Sequence, residues 1–150
     1  MTHTKFFGIA AMIATPLFGG AGMAQDAAEG ERGFRQCASC HGIVADDGTV
    51  IQRLGRIGPN LWGVPGRQAG TDAEFRNYSD GMVAAGEMGL EWNEEDFTVY
   101  LANQTEFLRE YTGDSSVRSN MNHRLRGEAA DIWAYLVSVS PEVEATPAGG

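Results

Sequence analysis

Apolar residues recur at a helical period in several separated stretches of the chain. The clearest is near its end. Ala129, Ile132, Trp133, Leu136 and Val137 stand at i, i+3, i+4, i+7 and i+8, the spacing that lines one face of a helix, and predict a helix over 128–139 that Pro141 ends. Asn93 followed by Glu94, Glu95 and Asp96 reads as a cap and an acidic first turn at the positive end of a helix dipole, with Phe97, Tyr100 and Leu101 as its buried face. A shorter helix is expected over 105–111, stopped by Gly113. Upstream, Asp26-Ala-Ala-Glu29 has the character of a capping box, and Ala27, Gly30, Phe34 and Cys37 follow at helical spacing.

Between these stretches the pattern breaks down. From 42 to 70 there are glycines at 42, 48, 55, 58, 63, 66 and 70 and prolines at 59 and 65, with no sustained period, so a long loop is expected. So much irregular chain is unusual around an ordinary core and suggests a loop wrapped around a bound object. Met82 and Met88, in an Ala/Gly-rich stretch before Trp92, read as core fillers. The polar segment 112–124 is turn-rich yet contains Met121, and 141–150 has no core-forming residues and is expected to be a disordered tail. No internal repeat and no strand is expected.

The first 24 residues change the reading of the chain. Lys5, the apolar run 6–17 and Gly22-Met23-Ala24 form the three regions of a signal peptide cleaved after Ala24. A retained anchor fits less well, because the run is shorter than the ~20 residues a membrane-spanning helix needs and Pro16 interrupts it. The expected product is one domain of 126 residues, 25–140 plus the tail, exported to the periplasm, monomeric and without stable membrane insertion. Loss of Lys5, the only lysine, leaves 10 arginines against 20 acidic residues, which argues against nucleic acid and anionic membranes as partners.

The only two cysteines, Cys37 and Cys40, are too close to tie distant parts of the chain together. With His41 they form C-x-x-C-H, the covalent haem-attachment pattern. Two thiols one helical turn apart can add to the two vinyl groups on one edge of a haem while the adjacent imidazole reaches the iron. A thioredoxin-like redox pair would need a βαβ setting, which is absent, and a structural zinc site would have only His123 to complete it. One motif means one haem c and one axial ligand, His41. For the sixth position Met82, Met88, Met121 and His123 stay open, and the choice matters because methionine raises the reduction potential relative to a second histidine. On the residues alone, Met121 leads His123 only narrowly.

Cys37-Ala-Ser-Cys-His41, Gly58-Pro-Asn-Leu-Trp-Gly-Val-Pro-Gly-Arg67, Phe75-Arg-Asn-Tyr-Ser79, Gly89-Leu-Glu-Trp92, Tyr100-Leu101, Phe107-Leu108 and Asp131-Ile-Trp-Ala-Tyr-Leu136 together resemble the class I cytochromes c, in the branch of cytochrome c2 and mitochondrial cytochrome c. The resemblance implies an all-α fold of three to five helices, with long loops wrapped around one covalently bound haem. It implies that the Pro59 carbonyl orients His41, that Arg67, Tyr78 and Trp92 hydrogen-bond the propionates, that Tyr100 lies beside the ligand sulfur and that Met121 is the axial methionine. Gly30, Phe34 and Tyr135 match positions where the first and last helices cross.

The implied role is a one-electron carrier rather than an enzyme, taking electrons from a cytochrome bc1 complex and passing them to a photosynthetic reaction centre or a terminal oxidase by transient docking. A dedicated electron acceptor of a periplasmic dehydrogenase is the alternative, and a haem-based sensor or peroxidase-like protein a more distant one. Three departures stand out. Gln104 replaces a proline common in relatives, which predicts a less rigid turn before the Met121 loop. His123 replaces an aromatic residue and is a competing ligand. The docking lysines are missing, with Arg53, Arg56, Arg118, Arg124 and Arg126 as the available cations.

Overall fold

The computed structural model describes residues 25–53, 55, 57–125 and 127–141; the expected signal peptide and residues 142–150 of the expected tail lie outside them. Helix α1 spans Ala27–Phe34, and the Asp26 carboxylate caps it by accepting from the Ala28 and Glu29 N–H groups at 2.8 and 3.2 Å. The reciprocal half of the capping box is not made by Glu29, which pairs with Arg32 instead. The Asp26 N–H donates to Asp131 Oδ1 at 2.9 Å, so a residue far along the chain completes the cap. Beyond Phe34 the backbone stays coiled in turns, with Cys37 N–H on the Phe34 carbonyl and His41 N–H on the Cys37 carbonyl, at 2.8 and 2.9 Å.

The expected loop 42–70 contains a short antiparallel hairpin, β1 Ile43–Val44 and β2 Val50–Gln52, which corrects the expectation of no strand. Strands of two and three residues are too short to show a period of two. Gly48, at φ +85°, turns the connection, and the Asp47 carboxylate accepts from Thr49 N–H at 2.8 Å. Asn60 anchors the hairpin to the rest of the loop: its side chain accepts from Val44 N–H at 3.0 Å and donates to Val44 O at 2.7 Å.

A second correction is α2, Asp80–Glu87, capped by Ser79. Its glycines lower helix propensity and hid it, but they serve packing. A Cβ on Gly86 would stand 2.0 Å from the Ala69 carbonyl oxygen, and one on Gly81 2.9 Å from Val117 Cβ. Met82 is buried on this helix as expected, whereas Met88 at its C-cap is 59% exposed and fills no core.

Helix α3, Glu94–Ala102, starts where expected, with Asn93 Oδ1 accepting from Asp96 N–H at 2.9 Å and Phe97, Tyr100 and Leu101 buried. Helix α4, Gln104–Thr112, ends at Gly113 with φ +70°. Helix α5, Ala129–Val139, buries Ala129, Ile132, Trp133, Tyr135 and Leu136; Val137, placed on that face by its spacing, is instead 50% exposed. Helices α1 and α5 cross at Gly30, where a Cβ would lie 1.9 Å from the Asp131 carbonyl oxygen, and Phe34 packs on Tyr135 with ring centroids 5.7 Å apart. Phe34, Ile43, Leu90, Leu108, Ile132 and Leu136 are fully buried, each contributing about 1.5–3 kcal/mol by its removal from water.

Candidate functional site

A cavity of about 250 Å³ opens between the α1–α5 pair, the 57–79 loop, α3 and the segment 119–123. Cys37, Cys40, His41, Pro59, Arg67, Tyr78, Trp92, Tyr100 and Met121 all line it. So do Met82 and His123, whereas Met88 is not among the lining residues.

On one wall the turn after α1 presents the half-buried thiols of Cys37 and Cys40. Burial pushes the Cys37 thiol up to about 11, helped by Cys40 and Glu128. The glycines of the irregular loop explain how closely it wraps this turn. A Cβ on Gly55 would meet the Cys40 carbonyl at 2.2 Å, and one on Gly58 would stand 2.3–2.8 Å from three atoms of the His41 ring. Gly58 N–H donates to Cys40 O and Leu61 N–H to Gly42 O, each at 2.9 Å.

The His41 Nδ1 lies 2.9 Å from the Pro59 carbonyl oxygen. A carbonyl can only accept, so Nδ1 carries the proton and Nε2 keeps a free lone pair. Burial pushes the imidazole below its ordinary value, against the Pro59 hydrogen bond, which acts the other way, and with a smaller lowering from the Arg67 charge. The ring is thereby favoured in the neutral state that binds a metal.

Backbone pairing across Gln68 and Glu91, with Gly66 N–H on Trp92 O at 2.8 Å and Trp92 N–H on Arg67 O at 3.0 Å, brings Arg67 and Trp92 to the same wall. The Arg67 guanidinium donates to the Asn60 and Trp62 carbonyls at 2.9 and 3.2 Å. Tyr78, pushed upward by burial, accepts from Asp72 N–H at 3.3 Å, and Asp72 in turn accepts from Asn60 N–H at 2.9 Å. Trp92 lies edge-on to Tyr100, centroids 5.1 Å apart, and stacks on Phe107.

Opposite, burial pushes the Tyr100 phenol up to about 12 although its hydrogen bond with Ser119 acts downward. Ser119 Oγ lies 3.1 Å from the Tyr100 hydroxyl and accepts from Met121 N–H at 3.1 Å. His123 is exposed, with Nε2 3.3 Å from Gln36 Oε1, and Gln36 donates onward to Glu128 at 2.8 Å. Gln104 does not leave the turn loose as its replacement of proline predicted: it is 2% exposed and donates to the Leu101 and His123 carbonyls at 3.0 and 2.7 Å.

Asn60, Asp72 and Ser119 organise this site without having been singled out from the sequence. Polar residues of this kind occur in every loop, and only Asn60 had a local signal, its place beside Pro59 in the Gly58–Arg67 segment.

The donor set suits a planar, iron-containing macrocycle: two thiols on one edge, a neutral imidazole below, thioethers available in the cavity and aromatic walls. No family model matches the chain. It is 51% identical over 122 residues to cytochrome c2 of Rhodovulum adriaticum, covering 79% of this chain and 96% of that one. It is 52% identical over 115 residues to cytochrome c-551 of Roseobacter denitrificans, covering 77% and 81%. The solved structure of cytochrome c2 from Rhodobacter sphaeroides matches with a TM-score of 0.76 at 46% identity, over 79% of this chain and 98% of that one. Cytochromes of this kind are electron-transfer proteins with covalently bound haem c, for which this chain has only the thiols of Cys37 and Cys40. With about half of its aligned residues identical to curated relatives covered over most of their length, the chain belongs to the cytochrome c2 family of class I cytochromes c.

Proposed function

We propose that the chain is a periplasmic one-electron carrier in which Cys37 and Cys40 would hold a haem and His41 and Met121 would bind its iron, working between a cytochrome bc1 complex and a photosynthetic reaction centre or terminal oxidase. The observation that carries the reading is one cavity lined by both thiols, by His41 with its Nε2 left free by Pro59, and by Met121 on a tied-down loop. When bound, the haem would supply the ferric/ferrous couple. The residues set its conditions. Pro59 orients the proximal imidazole and raises its basicity. Arg67, Tyr78 and Trp92 line the cavity and would serve to neutralise or hydrogen-bond the propionates, although two guanidinium nitrogens of Arg67 already serve backbone carbonyls. Tyr100, Phe97, Leu101 and Ile132 keep water from the interior.

The ligand assignment is tested by optical and EPR spectroscopy of the ferric holoprotein. Met121→Leu is expected to lose the methionine-to-iron charge-transfer band; a surviving band would transfer the role to Met82, the other methionine of the cavity.

A formal net charge of −9 and a single lysine, Lys5, favour a second reading, a dedicated acceptor for a periplasmic dehydrogenase with a basic docking face. Arg53, Arg118 and Arg124 are exposed among the described residues. Stopped-flow reduction by a bc1 complex should slow in Arg124→Glu, more at low salt than at high salt, because exposed charges are screened beyond about 8 Å at physiological ionic strength. Rates that do not change at either salt, together with faster reduction by the dehydrogenase, would favour the second reading.

A further inference from the structure

Among the described residues Gln104 is the only buried polar side chain that is not aromatic, and a buried amide is stable only when its hydrogen bonds are made. Its Nε2 donates to the Leu101 carbonyl at 3.0 Å, at the end of α3, and to the His123 carbonyl at 2.7 Å, two residues beyond Met121. One side chain therefore joins a helix to the loop that brings Met121 to the cavity.

Other ties flank this junction. Leu125 N–H donates to Leu101 O at 2.9 Å, Arg124 Nη2 to Asn103 Oδ1 at 3.2 Å, and Ser119 N–H to Thr105 Oγ1 at 3.2 Å. The loop is thus held on both sides of Met121 by the α3–α4 junction. Gln104 spans that junction with two hydrogen bonds from one buried side chain, a buried one to Leu101 and a part-buried one to His123.

We propose that Gln104 is a positioning residue that latches the Met121 loop over the sixth coordination position and so keeps small exogenous ligands from the iron. The inference rests on the reading of Met121 as the sixth ligand. An external ligand must displace Met121, and the loop can swing away only after the Gln104–His123 hydrogen bond has broken. Gln104 occupies the first position of α4, where a helix needs no backbone donor, so a proline there is compatible with the fold but has no amide to reach the loop.

The test is imidazole binding to the ferric holoprotein at fixed pH, followed optically, in the wild type, Gln104→Leu, Gln104→Pro and Ile43→Ala. The last removes fully buried side-chain volume in the hairpin, away from the loop. Loss of the hydrogen bond to the His123 carbonyl is expected to tighten imidazole binding about tenfold in Gln104→Leu, with Gln104→Pro also tighter than wild type and Ile43→Ala unchanged however far its melting temperature falls. Wild-type affinity in both Gln104 variants overturns the latch, and so does an equal increase in Ile43→Ala, which would mark general destabilisation. The Met121→Leu spectrum separates the two claims. If the methionine band survives there, the ligand reading fails; if it is lost there while both Gln104 variants bind imidazole like wild type, only the latch fails.

Discussion

The α1–α5 crossing and the 117–125 loop frame the same cavity but are held by different forces. At the crossing, backbone meets backbone: Gly30 leaves no room for a single carbon against the Asp131 carbonyl, and Phe34 and Tyr135 pack beside it. In the loop the ties are hydrogen bonds, from Ser119, Gln104, Thr105 and Asn103, around a half-buried Met121. A region held by close packing should tolerate loss of polar atoms but no added volume. One held by hydrogen bonds should tolerate modest changes of volume but no loss of donors.

The largest effect should come from Gly30→Ala. The added carbon would stand 1.9 Å from a carbonyl oxygen, and the overpacking should cost about 3 kcal/mol, read by chemical denaturation of the holoprotein. A variant of wild-type stability would mean that the helices can slide apart and that close approach is not what holds them.

A smaller loss is expected from Ser119→Ala, which removes the oxygen shared by the Tyr100 hydroxyl and Met121 N–H. About 1–2 kcal/mol should be lost in the same measurement. Because Ser119 holds the phenol down while burial raises it, the Tyr100 titration, already at about 12, should move further up in this variant. No change in either quantity would remove polar ties from the account of the loop.

The smallest effect belongs to Asp47, outside both regions. Hydrogen bonds from Thr49 hold its carboxyl below the ordinary value of 3.8. A depressed folded-state value means that its stabilisation is present above that ordinary value and disappears as pH falls through the folded-state one. The stability difference between the wild type and Asp47→Asn should therefore be present at neutral pH and vanish in acid. A difference that persists in acid would show that the turn depends on something other than the carboxylate charge.

The same division of forces explains what could be read in the sequence. Helices α3 and α5 were legible because a cap residue or a run of large apolar side chains announces them. Helix α2 was not, because Gly81, Ala84, Ala85 and Gly86 carry little periodic signal; its contacts are made by what those residues lack. The hairpin escaped because five residues in two strands cannot display an alternation. Val137 continued the spacing of α5 yet faces solvent, since periodicity gives a stripe but not its width. Of the expected cavity residues, Cys37, Cys40 and His41 were read from a motif and the rest from the resemblance to class I cytochromes c, and the structure brings them to one place. The roles of residues between them, Ser119, Asn60 and Gln104 among them, were not found, because their importance lies in partners that folding supplies. Gln104 shows this best: in sequence it is a lost proline and a looser turn, and in the fold it is a buried double donor.

The bond from Asp26 to Asp131 also ties the thiols to distant chain. The partner that completes the cap of α1 follows it by 105 residues, and Gly30 packs against that same residue's carbonyl, so the cap and packing of α1 are complete only when α5 is in place. Cys37 and Cys40 lie just beyond α1, on the turns that continue it. In the closed arrangement burial raises the Cys37 thiol to about 11 and leaves little thiolate to react. The pairing of α1 with α5 therefore reaches the chemistry of the thiols as well as the stability of the fold.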